Sequence, residues 1–206
     1  TAPATSTTVT NDDYAVHAAN WITPTLGAPI DTDVVLPLTI YEVQYTTDPG
    51  GGTYPSPYED EMAVLTGTVY ALYPGRGFFI ADAEGPWHGL YAYYPGGDLP
   101  AIGDEVQVVG TVKEYYGVTE LSEGVTYSVL SSGNQPHGPS VVTTTEIPFN
   151  TPGTSEEYED VFVEIHGATV TAAADNYGIW TFTDSSGGSA KGDDWGYDFE
   201  PNVGDE

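Results

Sequence analysis

Short runs of alternating apolar and polar residues, broken by glycine and proline, dominate this chain. Met62-Ala63-Val64-Leu65-Thr66-Gly67-Thr68-Val69-Tyr70 alternates with the period of two expected of a half-buried strand. Phe78-Phe79-Ile80-Ala81-Asp82 follows the turn Pro74-Gly75-Arg76-Gly77, and Gly89-Leu90-Tyr91-Ala92-Tyr93-Tyr94 comes next. Residues 105–112 and 118–121 complete a set of five predicted strands. The stretch from Val34 through Tyr45 also reads as extended, ahead of a Gly/Pro loop at residues 48–57. No window shows a helical period. Five short strands in about 65 residues predict a small barrel or sandwich.

The pattern repeats. Tyr58-Glu59-Asp60 returns as Tyr158-Glu159-Asp160, and Gly77-Phe78-Phe79-Ile80-Ala81-Asp82 as Gly178-Ile179-Trp180-Thr181-Phe182-Thr183-Asp184. Ile102-Gly103-Asp104-Glu105 matches Val203-Gly204-Asp205-Glu206. Order and spacing are kept, so two copies of one unit are expected. The predicted organisation is an extended N-terminal segment at 1–33, a first barrel at 34–130, a linker at 131–154 and a truncated second barrel at 155–206. The second copy lacks counterparts of the strands at 105–112 and 118–121. An open barrel exposes apolar interior and unpaired backbone, which invites a further strand. That strand could come from a continuation of the chain, from residues 1–33 folding back, or from another molecule by donor-strand complementation.

Composition narrows the functional classes. The 206 residues include 31 Asp and Glu against 3 Lys and Arg, a formal charge of −28, and no cysteine. Disulfide scaffolds and thiolate metal sites are therefore excluded. The 16 Tyr, 6 Phe and 4 Trp supply enough apolar surface for a folded core despite the charge. With only Arg76, Lys113 and Lys191 to meet phosphate, nucleic acid is an unfavoured partner. No apolar run is long enough for a membrane-spanning helix, so membrane insertion is not expected. The Thr/Ser/Ala-rich start at Thr1 reads as that of a mature secreted protein, placing it outside the cell or on its surface.

Ile40-Tyr41-Glu42-Val43-Gln44, Ser56-Pro57-Tyr58, Gly77-Phe78-Phe79, Trp87-His88-Gly89-Leu90-Tyr91, Gly103-Asp104-Glu105-Val106 and Gly110-Thr111-Val112-Lys113-Glu114-Tyr115-Tyr116-Gly117 follow one another in an order that resembles the OB-fold domains of secreted bacterial nucleases and related extracellular multidomain proteins. The resemblance covers residues 38–122 well and 156–206 more weakly. It implies an all-β architecture of tandem OB-like small β-barrels. It implies no catalysis here, because the nuclease domain of that family lies elsewhere in the chain.

Several acidic clusters could supply the six to eight oxygens that calcium takes. They are Asp12 and Asp13, Asp31 and Asp33, Glu157 with Asp160, and Asp193 and Asp194 with Asp198. No EF-hand spacing is present, so calcium is expected from composition alone, and a solvated acidic surface explains the same residues. Phe78, Phe79, Trp87, Tyr91, Tyr93, Tyr94, Tyr115, Tyr116, Trp180 and Trp195 offer rings for stacking a ligand, yet strand alternation turns about half of them inward. A ring platform without cations suits a glycan better than DNA. His17, His88, His137 and His166 have no metal or catalytic spacing, and Gly50-Gly51-Gly52 lacks the lysine and helix of a phosphate loop.

These features together predict a non-catalytic secreted structural protein. It self-associates into a homo-oligomer or polymer, by β-strand exchange or edge pairing, with calcium bridging acidic loops. The alternatives are an accessory OB-fold binding module of an extracellular nuclease and a carbohydrate-binding surface module.

Overall fold

The computed structural model describes residue 35 and residues 37–149, 153–194, 196, 199 and 201–206. Among the described residues the fold is all-β, apart from one short α-helix and a single 3-10 turn. The predicted N-terminal segment at 1–33 lies outside the described residues.

In the first unit the period-two pattern becomes five strands: β1 (Met62–Tyr73), β2 (Gly77–Ala81), β3 (Gly89–Tyr93), β4 (Glu105–Glu114) and β5 (Thr119–Ser131). They close in the order β1-β2-β3-β5-β4. All neighbours are antiparallel except β3 and β5, which run parallel through Tyr91↔Glu120 and Ala92↔Leu121. That junction is short, so the closed sheet is weakest there. Ala63, Leu65 and Val69 on β1 meet Val106, Val108 and Val112 on β4 inside the barrel, where all are buried. Gly67 also faces inward, and a Cβ there would stand 3.0 Å from the Ala81 carbonyl oxygen.

Residues 40–44 were expected to be extended and are instead a helix, α1 (Ile40–Gln44). The cause is local. Thr39 accepts from the Glu42 N–H at 3.1 Å, and the Thr39 N–H donates to the Glu42 carboxylate at 2.8 Å. This reciprocal cap satisfies two backbone donors that a five-residue helix otherwise leaves bare. Asp82 accepts from the Ile40 N–H at 3.0 Å, and Ile40 and Val43 plug the barrel end. A Thr-x-x-Glu signature thus overrode a run that otherwise favoured a strand.

Several hydrogen bonds of the first unit have counterparts at the matching residues of the second. Val69 donates to the Asp104 carbonyl at 2.9 Å, as Val170 does to that of Asp205. Asp104 accepts from the Ala101 N–H as Asp205 does from Asn202. Thr39 and Glu42 recur as Thr143 and Glu146, and Asp82 on Ile40 recurs as Asp184 on Thr144. The second unit therefore draws on part of the 131–154 segment expected to be a linker: β6 (Ser140–Val141) pairs in parallel with β7 (Val163–Glu164). Its remaining strands, β8 (Thr169–Ala172), β9 (Ile179–Thr183) and β10 (Ala190–Asp193), form a sheet of three. Among the described residues nothing in it corresponds to β4 and β5.

Candidate functional site

Two regions stand out among the described residues: a seam where the units touch and an open face on the second. Both are assembled from residues that each strand places by register.

The seam covers the short β3–β5 junction of the first barrel. The 3-10 turn Glu156–Tyr158 and the two residues after it press against that junction. Trp87 donates its N–H to the Glu157 carbonyl at 2.7 Å, and Tyr91 donates its N–H to the Asp160 carboxylate at 2.9 Å. Thr119 donates to Glu159 at 2.8 Å, and the Tyr70 hydroxyl donates to the Asp160 carbonyl. Beside these bonds Phe162 of the second unit stacks on Tyr70 of the first at 5.6 Å, and within the first unit Phe79 lies against Tyr91 at 4.7 Å. Gly89 is required here, because a Cβ would lie 1.7 Å from the Asp160 carbonyl oxygen.

The seam is also crowded with acids. Glu156, Glu159 and Asp160 come from the second unit, and Glu114 and Glu120 from the first. Burial, and then the charge of Glu114, push the Glu156 carboxyl up to about 7. Burial raises Glu159 and Asp160 well above the usual carboxylate range; the neighbouring Asp160 adds to the first, and Glu120 to the second. Burial also raises Glu114 and Glu120. No Lys or Arg ion pair reaches the cluster among the described residues; Lys113 pairs instead with Asp60 at 2.8 Å and Glu123 at 3.5 Å. Neutral, protonated carboxyls are how such a seam avoids burying repulsive charge.

The open face belongs to the second unit. Phe78, Ile80 and Val69 of the first barrel are fully buried. Trp180, Phe182 and Val170 stand at the matching positions, yet Trp180 and Phe182 are only half-buried. With Ile165, Ala168 and Phe199 they line an apolar groove along the sheet. Trp180 and Phe199 meet edge to face at 5.6 Å. Among the described residues β10 is hydrogen-bonded to no strand but β9.

The expected calcium ligands are scattered across this geometry. Asp12, Asp13, Asp31, Asp33 and Asp198 lie outside the described residues, as does Trp195. Glu157 and Asp160 belong to the seam, where Asp160 is engaged by Tyr91. Asp193 lies on β10, and Asp194 lies over the turn at Gly178. Among the described residues no group of three or more His, Asp and Glu side chains is arranged to hold a metal ion. The expected ring platform is also divided: Phe78 is core, Phe79 and Tyr91 are seam, and Tyr115 and Tyr116 are exposed. The sequence reading missed Tyr41 and Tyr45, because a presumed strand hid the helical i, i+4 spacing that brings them together.

No protein-family model matches this sequence, and no curated protein or solved structure matches it.

Proposed function

We propose that this chain is a non-catalytic extracellular structural protein that self-associates by strand addition at the open face of its second unit. The observation that carries this reading is the contrast between Phe78 and Ile80, wholly buried by five strands, and Trp180 and Phe182, left half-buried by three. Burial of such rings is worth roughly 25 cal/mol per Å² of apolar area, so an added strand is strongly favoured. The donor is the N-terminal segment of a neighbouring copy. Thr5-Ser6-Thr7-Thr8-Val9-Thr10 and Tyr14-Ala15-Val16 combine β-branched and aromatic residues suited to a strand. Two chains each carrying −28 repel, so divalent cations are proposed to screen the contact, with calcium at the acidic clusters near the N-terminus as its seat.

Light scattering and negative-stain microscopy of the whole chain, with calcium and with chelator, test this. The expected result is regular assemblies that loosen in chelator and vanish when residues 1–33 are deleted. A monodisperse monomer in both conditions contradicts the reading.

A further inference from the structure

Four rings form a continuous strip on the first unit, reaching the seam at Trp87, whose N–H bonds the Glu157 carbonyl, and lying on the other unit from the open face. Tyr41 in α1 and Tyr45, its C-cap, are four residues apart and stack at 5.3 Å with an interplanar angle of 9°. The Trp87 ring meets Tyr45 edge to face at 5.4 Å, and the His88 ring meets Tyr41 at 5.5 Å. Tyr41 and Tyr45 remain 40% and 44% exposed, although the opposite face of the same helix is fully buried.

The strip is fixed rather than incidental. Asp82 accepts from the first helical N–H and also lies 2.7 Å from His88 Nδ1, so a single carboxylate positions both the helix and the imidazole. Trp87 adopts φ +68°, a left-handed conformation that a bulky side chain rarely takes. Its N–H bond to Glu157 holds it there. Strain kept at a partly exposed aromatic residue points to a use for that ring.

The second unit supplies an internal control. It repeats the scaffold beneath the strip: Thr143 and Glu146 cap the turn, and Asp184 engages Thr144. It repeats only one of the rings: Phe149 stands where Tyr45 does, but Thr145 stands where Tyr41 does and the Trp-His pair has no counterpart between Asp184 and Ala190. The cap and the aspartate are kept in both units; the Tyr41, Trp87 and His88 rings are not.

We propose that Tyr41, Tyr45, Trp87 and His88 form a binding strip for a neutral oligosaccharide. Aromatic rings with polar tips offer apolar surface to a pyranose and hydrogen bonds to its hydroxyls. The net charge of −28 disfavours an anionic polymer, whether nucleic acid or acidic glycan. A basic peptide finds little at the strip itself, because Asp82 is committed to Ile40 and His88, and Glu42 to Thr39. The site does not depend on assembly and exists on a single chain.

Affinity electrophoresis of the full chain through gels containing cellulose derivatives, soluble chitin, xylan or mixed-linkage β-glucan tests the proposal. Retardation by at least one neutral glycan is expected, weakened about tenfold or more by Tyr41→Ala or Tyr45→Ala. Tyr177→Ala, which removes an exposed ring from the second unit, leaves it unchanged. Trp87→Gly removes a ring while relieving the left-handed backbone, so it must lose binding without losing its melting temperature. Free passage through every neutral gel overturns the proposal. So does retardation that survives the Tyr41, Tyr45 and Trp87 changes, or that appears solely with an anionic polysaccharide.

Discussion

Gly89 carries more of this architecture than its size suggests. It ends the run from β2 to β3, and its missing side chain lets the Asp160 carbonyl approach the first barrel. Gly89→Ala forces the two apart and is expected to destabilise the chain by about 1–3 kcal/mol, the usual range for overpacking. Thermal melting reads that loss, and faster proteolysis at residues 156–162 locates it; an unchanged melt means the turn does not dock there. Thr39 acts at the same scale through its reciprocal cap with Glu42. Thr39→Ala should cost about 1 kcal/mol, measured by urea unfolding. It should also free Tyr41 and Tyr45 from their stacked pairing. Both residues stood in the sequence in plain view, but they carry different signals. The Thr-x-x-Glu spacing names a helix start outright, and the expectation of a strand passed over it because Val34, Val35, Leu36 and Leu38 precede it and Ile40 follows Thr39. Nothing local marks Gly89, whose partner is 71 positions away.

At the scale of elements, the strands of the first unit were legible and the contacts between units were not. Alternation along β1 and β4 decides which face of each strand enters the barrel, and a pattern of period two states that directly. The register that places β5 parallel to β3 is a long-range property. So is the seam, where a turn repeated from the first unit meets a foreign surface. In the first unit that turn returns to its own β4, through Asp60 to Val112 and Val112 to Glu61. The second unit has no such strand among the described residues, and its turn engages Tyr91 and Thr119 instead. The acids of the seam give this contact a pH dependence whose sign is fixed. Glu156 is held at about 7 against an ordinary value near 4.5, and Glu159, Asp160, Glu114 and Glu120 are raised as well. The folded chain therefore binds more protons than the unfolded one across that window. Seam stability is greatest below about pH 4.5 and falls as pH rises through 7. Above the folded values there is no further loss from these groups. Asp160→Asn and Glu159→Gln keep an acceptor for Tyr91 and Thr119 while removing charge. Each is expected to raise the melting temperature at pH 8 and to flatten its slope with pH. A melting temperature that climbs between pH 5 and pH 8 in the unaltered chain is incompatible with this account.

For the whole molecule, the decisive feature is asymmetry between two copies of one design. The first copy buries a full set of apolar side chains; among the described residues of the second, the buried apolar side chains are Val142, Val170, Ala190 and Pro201. The duplication itself was legible from Asp104-Glu105 and Asp205-Glu206, and the matching hydrogen bonds of Val69 and Val170 follow it residue for residue. The apolar groove of the second copy accords with the lack, among the described residues, of counterparts to β4 and β5. Which residues line it was not legible, because strands alone do not say how far a partial barrel folds over itself. Assembly is the consequence we draw from that groove, and the absence of cysteine permits a direct test. One cysteine replaces His166, on the exposed stretch of the second unit that matches the part of β1 paired with β4 in the first. A second is placed in turn at each position from 5 to 22 of a separately tagged chain, and the two are mixed under mild oxidation. The account predicts disulfides between the two tagged chains at alternating positions of one register. Cross-links that join residues of the same chain, or none at any position, contradict it.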